Sequence, residues 1–361
     1  MIAFLRDKQK TSQSFWTACA KILIMNQKEF IEDVIKQPLK VGQVNLNNRL
    51  ALAPLAGTTE VVFRSLISQL GAGLVTTELV SARGICYDPS LKKNYQYLEI
   101  DPLAEKATAI QLFGHDPEDF RKASRIILDH PILSQCAMID INMGCPVKKV
   151  VKEGAGSALM KDPDRAARIV EAVVREAAPS GKPVSVKFRS GWDEETLNAP
   201  AFGRQMVAAG ASLITVHART RKQMYSGQAD WEVIREVVQE VDVPVYGNGD
   251  LVSLESLEQM FELTACAGFA IGRAAQANPW IFRELLGGLP VRDKAEWLSL
   301  IEQHVDGRIS RERSEEQAII QLRGQFSAYL KGKRNGASLR RELMACKSKG
   351  ELFTILDQVA L

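Results

Sequence analysis

Short apolar runs alternate with amphipathic stretches along the middle of this chain. The runs fall at 50–53, 74–78, 107–112, 137–142, 184–188, 213–217, 243–246 and 268–271. Each has the length of a buried strand and is too short for a helix. Between them, stretches such as Val61–Leu70, Pro117–Leu128, Pro163–Ala177, Pro200–Ala209, Trp231–Val238 and Leu254–Leu263 read as amphipathic helices. Eight strands alternating with helices predict an α/β fold, a parallel (β/α)8 TIM barrel. An open doubly wound sheet would call for an early Gly-x-Gly-x-x-Gly turn, and the chain has none. Leu39–Leu46 and Arg49–Ala53 read as a hairpin leading into the first core strand. Residues 1–38 read as a poorly ordered N-terminal extension, with Met25 as an alternative start. The barrel is expected to span 39–290. Past residue 290 the alternation stops, and 291–361 reads as a smaller all-helical domain.

Composition changes this picture little. A length of 361 residues exceeds the usual single core, which agrees with one large and one small domain. The six cysteines are scattered with no Cys-x-x-Cys pair, and no two of the four histidines have metal-site spacing. Neither a disulfide framework nor a metal centre is expected, and the chain reads as a reduced, cytoplasmic monomer. No apolar run reaches the roughly 18 residues of a membrane span. Phe15–Met25 is only mildly apolar, is interrupted by Lys21 and lacks a cleavage site, so it is not read as a signal peptide. Net charge is +3, so affinity for a polyanion has to be local. Arg323–Lys349 provides such a place, with eight Lys or Arg against the single acid Glu342. That density suits either a solvated helical face or contacts to a nucleic-acid backbone.

Chemistry on a barrel belongs beyond the C-terminal ends of the strands. There the apolar runs end in polar or small residues: Pro54-Leu55-Ala56-Gly57, Glu78, Gln111, Asn142, Lys187-Phe188-Arg189, His217-Ala218-Arg219, Asn248-Gly249-Asp250 and Gly272-Arg273. The fourth run leads into Gly144-Cys145-Pro146-Val147-Lys148-Lys149. Pro146 restricts Cys145 to extended backbone, so its sulfur has a defined direction. A free cysteine is most often a small buried hydrophobe, but eight converging polar strand ends favour a catalytic acid. Gly249 and Gly272 permit close backbone approach, and Arg273 can pair with a dianion, which together suit a phosphate. Lys187 and His217 would face the polar edge of a ring attached to it. Gln111 and Asn142 supply amides able to donate and accept, as an isoalloxazine requires. The site is FMN-shaped.

These residues together resemble the tRNA-dihydrouridine synthases, most closely the bacterial B-type. The family signature stands at Asp140-Ile141-Asn142-Met143-Gly144-Cys145-Pro146-x-Lys148-Lys149 and Gly156-Ser157-Ala158-Leu159, with further family segments at 216–221 and 271–282. The resemblance implies an enzyme that reduces the C5=C6 bond of uridines in tRNA, using FMN re-reduced by NADPH. It assigns Pro54, Leu55, Ala56, Gln111, Lys187, Asn248, Gly249, Asp250, Gly272 and Arg273 to FMN, sets His217 beside the flavin and makes Cys145 the acid. Asn142, Lys148, Lys149, Arg323, Lys333, Arg334, Arg340 and Arg341 are the residues expected to meet tRNA. The chain departs from the B-type pattern at Leu55 (usually Met), at Tyr246-Gly247, and at Gln325 and Ala328, where His and Trp are usual. Two other readings compete: an FMN barrel acting on a free pyrimidine, like dihydroorotate dehydrogenases, and a non-catalytic RNA-binding protein.

Overall fold

The computed structural model describes residues 26–360. Eight parallel strands close on themselves: β1 (Leu50–Leu52), β2 (Leu74–Thr76), β3 (Thr108–Phe113), β4 (Met138–Met143), β5 (Val184–Arg189), β6 (Leu213–His217), β7 (Val245–Asn248) and β8 (Gly268–Ile271). Each pairs with the next in parallel register, and β8 returns to β1. The expected TIM barrel is the observed one.

The strands read as apolar because both faces are buried. Residues such as Leu52, Ile110, Ile141, Val186 and Ile214 pack against the helices and are fully buried. The alternate residues form the barrel interior, whose character changes along the axis. At the N-terminal end Ala51, Leu74, Ala109, Met138, Leu213 and Tyr246 make an apolar plug with Val41 and Leu46 of an antiparallel hairpin, Leu39–Val41 with Val44–Leu46. Higher up the inward positions turn polar, at Thr76, Gln111, Asp140, Ser185, Lys187 and Thr215. The closed, dry end is thus opposite the end where chemistry is possible.

Residues 26–38, expected as part of a poorly ordered extension, begin with helical structure packed on the barrel. Asn26 caps the helix Gln27–Phe30 in a capping box with Glu29, and the chain continues through one π-helical turn, Ile31–Ile35. Phe30 is 1% exposed, with its ring 5.6 Å from that of Phe261 and 6.1 Å from that of Phe269. The burial of Phe30, Val34 and Ile35 binds residues 27–35 to the barrel. The segment 1–25, including Met25, lies outside the described residues.

After the barrel come the helices Lys294–Ile309, Glu315–Tyr329, Gly336–Leu343 and Lys349–Leu356. Their apolar residues, among them Trp297, Ile301, Phe326 and Leu343, join the barrel's own core. The first packs on the helix Val61–Gln69 and the second on the short helix Arg273–Ala277 after β8. A polar bolt secures this contact. Glu60 caps the helix 61–69 through the Val62 and Phe63 N–H groups, and His304 Nε2 lies 2.9 Å and Arg308 Nη1 3.4 Å from its carboxylate.

Candidate active site

A cavity of about 870 Å³ opens at the C-terminal end of the barrel. Eleven residues proposed for the cofactor or the acid converge on it: Pro54, Leu55 and Ala56 beyond β1, Cys145 beyond β4, Lys187 on β5, His217 on β6, Asn248, Gly249 and Asp250 at the end of β7, and Gly272 with Arg273 beyond β8. Strand register explains the meeting. Asn142 pairs with Lys187, Arg189 with His217, and His217 with Asn248, so side chains two residues apart on neighbouring strands stack in layers across the mouth.

Gln111 and Asn142 do not line this cavity. Gln111 is fully buried, and both ends of its amide are taken: Nε2 donates to Asp140 Oδ2 at 2.6 Å, and Oε1 accepts from Asn142 Nδ2 at 2.8 Å. Asn142 Oδ1 in turn accepts the N–H groups of Cys145 at 2.9 Å and Gly144 at 3.2 Å. Ser185 Oγ completes the chain by donating to Asp140 Oδ1 at 2.6 Å. A carboxylate only accepts, so this end of the relay sets the orientation of both amides and hence the loop that presents the thiol. The other side of the loop is fixed at Ser157, whose N–H and Oγ–H both donate to Cys145 O. Gly156 (φ +60°) makes that approach possible, since a Cβ there would lie 2.7 Å from Cys145 O.

Cys145 is half-buried, and burial pushes its thiol up, against the smaller opposing pull of the Val147 N–H and Arg189. It is a protonated thiol at neutral pH. Lys148 and Lys149 stand beyond it on the exposed helix Lys148–Lys152 and are not among the groups that shift it. The cation beside the loop is Arg189, whose Nε donates to Gly144 O at 2.8 Å and whose Nη1 donates to Thr220 O and Met224 O. Arg189 and Tyr225 line the cavity but were not chosen from the sequence as site residues. The Tyr225 ring is half exposed, with the Arg189 guanidinium at 5.7 Å and that of Arg273 at 5.2 Å. Lys331, from the end of the second C-terminal helix, also reaches the cavity rim. Lys331 was not among the positions expected to meet tRNA, and the C-terminal basic positions that were lie outside the cavity. Arg334 and Arg341 are exposed and Lys333 and Arg340 half-buried, while Arg323 donates to Cys346 O at 2.6 Å.

The wall formed by β5 and β6 is electropositive and strained by its own charge. Lys187 falls to about 7, through burial first and then Arg189, against the pull of Asp140, and its Nζ donates to Asn248 Oδ1 at 2.9 Å. His217 is held well below its usual value by burial and by Lys187, Arg189, Arg219 and Arg273, and is therefore neutral. Arg219, 2% exposed, binds Asp250 at 2.6 Å, and Arg273 reaches the same carboxylate at 3.2 Å. Such a cluster suits an electron-rich edge or an anion. Gly272 adds a cradle: a Cβ there would meet only Leu55 at 3.7 Å and Ala53 at 3.8 Å and would project into the space above β1. An apolar floor at Pro54, Leu55 and Ala56, a lysine and a histidine on one wall, and glycines beside an arginine at the far end fit a flat phosphorylated ring system such as FMN.

The fold resembles that of two solved barrels. A 2-naphthoyl-CoA reductase matches over 72% of this chain and 53% of its own, with a TM-score of 0.56 at 11% identity. The old yellow enzyme from Trypanosoma cruzi matches over 73% and 94%, with a TM-score of 0.51 at 12% identity. These likenesses define the class of fold as a TIM barrel. The dihydrouridine synthase (Dus) family model matches residues 51–361. The tRNA-dihydrouridine synthase B of Pseudomonas putida is 38% identical over 247 residues, 68% of this chain and 70% of its own. A probable tRNA-dihydrouridine synthase of Rickettsia bellii is 36% identical over 247 residues, 68% and 73% of the two chains. The chain belongs to the dihydrouridine synthase family. Among the described residues no helix is long and apolar enough to cross a membrane, and no cluster of His, Cys, Asp and Glu forms a metal site.

Proposed function

We propose that this protein reduces the C5=C6 bond of specific uridines in tRNA to 5,6-dihydrouridine. FMN would be held by Pro54, Leu55, Ala56, Lys187, Asn248, Gly249, Gly272 and Arg273, with His217 beside it and NADPH as reductant. The observation that carries the reading is a protonated thiol, Cys145, presented by a rigid loop into the same cavity as the Lys187–His217 wall.

When bound, the reduced flavin supplies a hydride. Addition at uracil C6 leaves negative charge on C5 and the C4 carbonyl, and the Cys145 thiol delivers a proton to C5. Water then returns a proton to the sulfur. Arg189, tied to the thiol's loop through Gly144 O and lining the same cavity, stabilises the developing charge. Neutral His217 donates one hydrogen bond without repelling the neighbouring cations. The Asp140–Gln111–Asn142 relay holds the sulfur on line. Residues 291–361, with Lys333, Arg334, Arg340 and Arg341, serve as the tRNA-binding unit, helped by Lys148 and Lys149. Extruding the uridine costs roughly a few kcal/mol, which backbone contacts offset. The protein works as a monomer in the cytoplasm.

The test is Cys145→Ala. The variant is expected to bind FMN and oxidise NADPH with oxygen as before, while dihydrouridine formation falls about 10²–10⁴-fold. Wild-type turnover in the variant would remove Cys145 as the acid, and turnover on free uracil without RNA would remove tRNA as the substrate.

A further inference from the structure

Across Thr58 from the main cavity lies a second cleft, of about 320 Å³, between the loops after β1 and β2 and the C-terminal helices. Its polar walls are Glu60, Glu78, His304, Arg308 and Gln325, and the half-exposed ring of Tyr97 stands at its edge. Some of these groups are already engaged. Glu60 carries the His304 and Arg308 contacts, and Arg308 also reaches Glu312 at 2.5 Å and Gln321.

Two acceptors keep capacity for a ligand. Glu78 makes no ion pair among the described residues; the Gly57 N–H donates to its carboxyl, which burial and the neighbouring Glu60 charge push up. Gln325, 2% exposed, donates from Nε2 to Gln276 O at 2.9 Å, but its Oε1 receives no donor. A buried acceptor without a donor is unfavourable unless something supplies one. The cleft therefore asks for a ligand with more than one N–H donor and a flat face for Tyr97.

The wall between the two cavities is a single layer. Thr58 lines both, Gln276 Nε2 donates to Thr58 Oγ1 at 2.9 Å, and Gln325 holds the Gln276 carbonyl. One strand of RNA with a base in the first cavity has its neighbouring nucleotides within reach of the second. Among the bases, guanine presents adjacent N1–H and N2–H donors that one carboxylate can accept together; uracil has a single N–H. We propose that this cleft is a second nucleobase site, which takes a guanine of the same tRNA close to the reduced uridine. Glu78 accepts its Watson–Crick N–H groups and Tyr97 stacks on its ring. The inference rests on tRNA uridine reduction as the activity and adds to it a sequence-reading element on the opposite side of Thr58.

The experiment compares wild-type and Glu78→Gln holoenzymes on transcripts of one tRNA substrate. Each guanosine within about two nucleotides of the reduced uridine is replaced in turn by inosine, which lacks the N2 amino group. Inosine at one position is expected to lower wild-type kcat/KM about tenfold, through KM, the size of one lost bidentate base contact. Glu78→Gln should lose about as much on the guanosine transcript and be indifferent to inosine, while still oxidising NADPH with oxygen at the wild-type rate. Wild-type indifference to inosine at every position overturns the proposal. So do losses that multiply when inosine and Glu78→Gln are combined. A wild-type enzyme that forms no dihydrouridine on the guanosine transcript sinks the parent reading, and the proposal with it.

Discussion

The two flanks of the barrel mouth carry opposite charge and treat it differently. On the β5–β6 flank, Lys187, Arg189, His217 and Arg219 crowd together, and most of them lower one another's affinity for protons. On the β1–β2 flank the central charge is Glu60, and the protein has neutralised it from outside the barrel with His304 and Arg308. The second arrangement is structural: its charges are paired and it bolts one unit to another. The first holds like charges in one place with few carboxylates, which lowers stability unless an electron-rich partner arrives. That contrast separates a joint from a binding wall more clearly than the residue types do.

Breaking the joint should give the largest effect. Burial alone would raise Glu60, yet the His304 hydrogen bond, the His304 charge and Arg308 together bring it down to about 2. A folded-state pKa below the unfolded one means stability present above about pH 4.5 and lost as pH falls toward 2. Glu60→Gln also takes the carboxylate from buried His304, while Arg308 keeps Glu312, at up to about 3 kcal/mol. Urea unfolding between pH 3 and 7 should show the wild type weakening below about pH 4.5 and the variant already weak and nearly flat. A variant as stable as the wild type at pH 7 would mean the bolt is decorative.

The next effect falls on the relay under the thiol. Asp140→Asn replaces a pure acceptor by a group that also donates, so Gln111 and Asn142 lose their enforced orientation. A loop displaced by a fraction of an ångström is expected to lower kcat for dihydrouridine about 10- to 100-fold, with KM for tRNA and flavin content little changed. A rise in KM alone would assign Asp140 to substrate binding. A fully active variant would show that the loop is held from its other side, by Ser157 and Arg189.

Much of this was legible beforehand, and the misses have physical causes. Strand positions could be read because a parallel strand buried on both faces is a nearly unbroken apolar run. The seventh was expected at 243–246 and lies at 245–248, since Pro244 has no N–H to donate to the ladder. Residues 27–35 were assigned to an extension although Asn26 and Glu29 form a capping box and Phe30, Val34 and Ile35 follow at helical spacing. Their partners, Phe261 and Phe269, are more than two hundred residues away, and no local pattern reveals that contact. Gln111 and Asn142 were recognised as important but placed in the wrong layer. Strand alternation tells which side chains point inward and says nothing of whether a neighbour such as Asp140 consumes them first. Tyr225 was missed because it sits in a loop, where periodicity is silent.

A smaller effect tests the cationic flank. Lys187, at about 7, should gain and lose its proton across the working range. If its cationic form holds the polar edge of the flavin ring, affinity is highest below pH 7 and falls up to tenfold per unit above it. Riboflavin is the appropriate probe, because it lacks the phosphate, which itself titrates near pH 6. Fluorescence titration of flavin-stripped protein from pH 6 to 9 should show this decline in the wild type and none in Lys187→Met. A flat wild-type profile would mean that Lys187 binds in its neutral form.

The same distinction between free and engaged charge applies in the C-terminal helices, where single effects are smallest. Arg341 is exposed and makes no ion pair among the described residues, whereas Arg323, a short way back in the chain, donates to the Cys346 carbonyl at 2.6 Å. Only a free cation can exchange its counterion for a phosphate. Arg341→Ala is expected to weaken tRNA binding a few-fold and to reduce the slope of log K against log salt by about 1. Arg323→Ala should leave that slope unchanged and instead lower the unfolding midpoint, since it removes a tie between the helices Glu315–Tyr329 and Gly336–Leu343 near Cys346. Equal slopes for the wild type and Arg341→Ala would move the RNA footprint off this helix and toward Lys331 at the cavity rim, the basic side chain of the helical unit that lines the site itself.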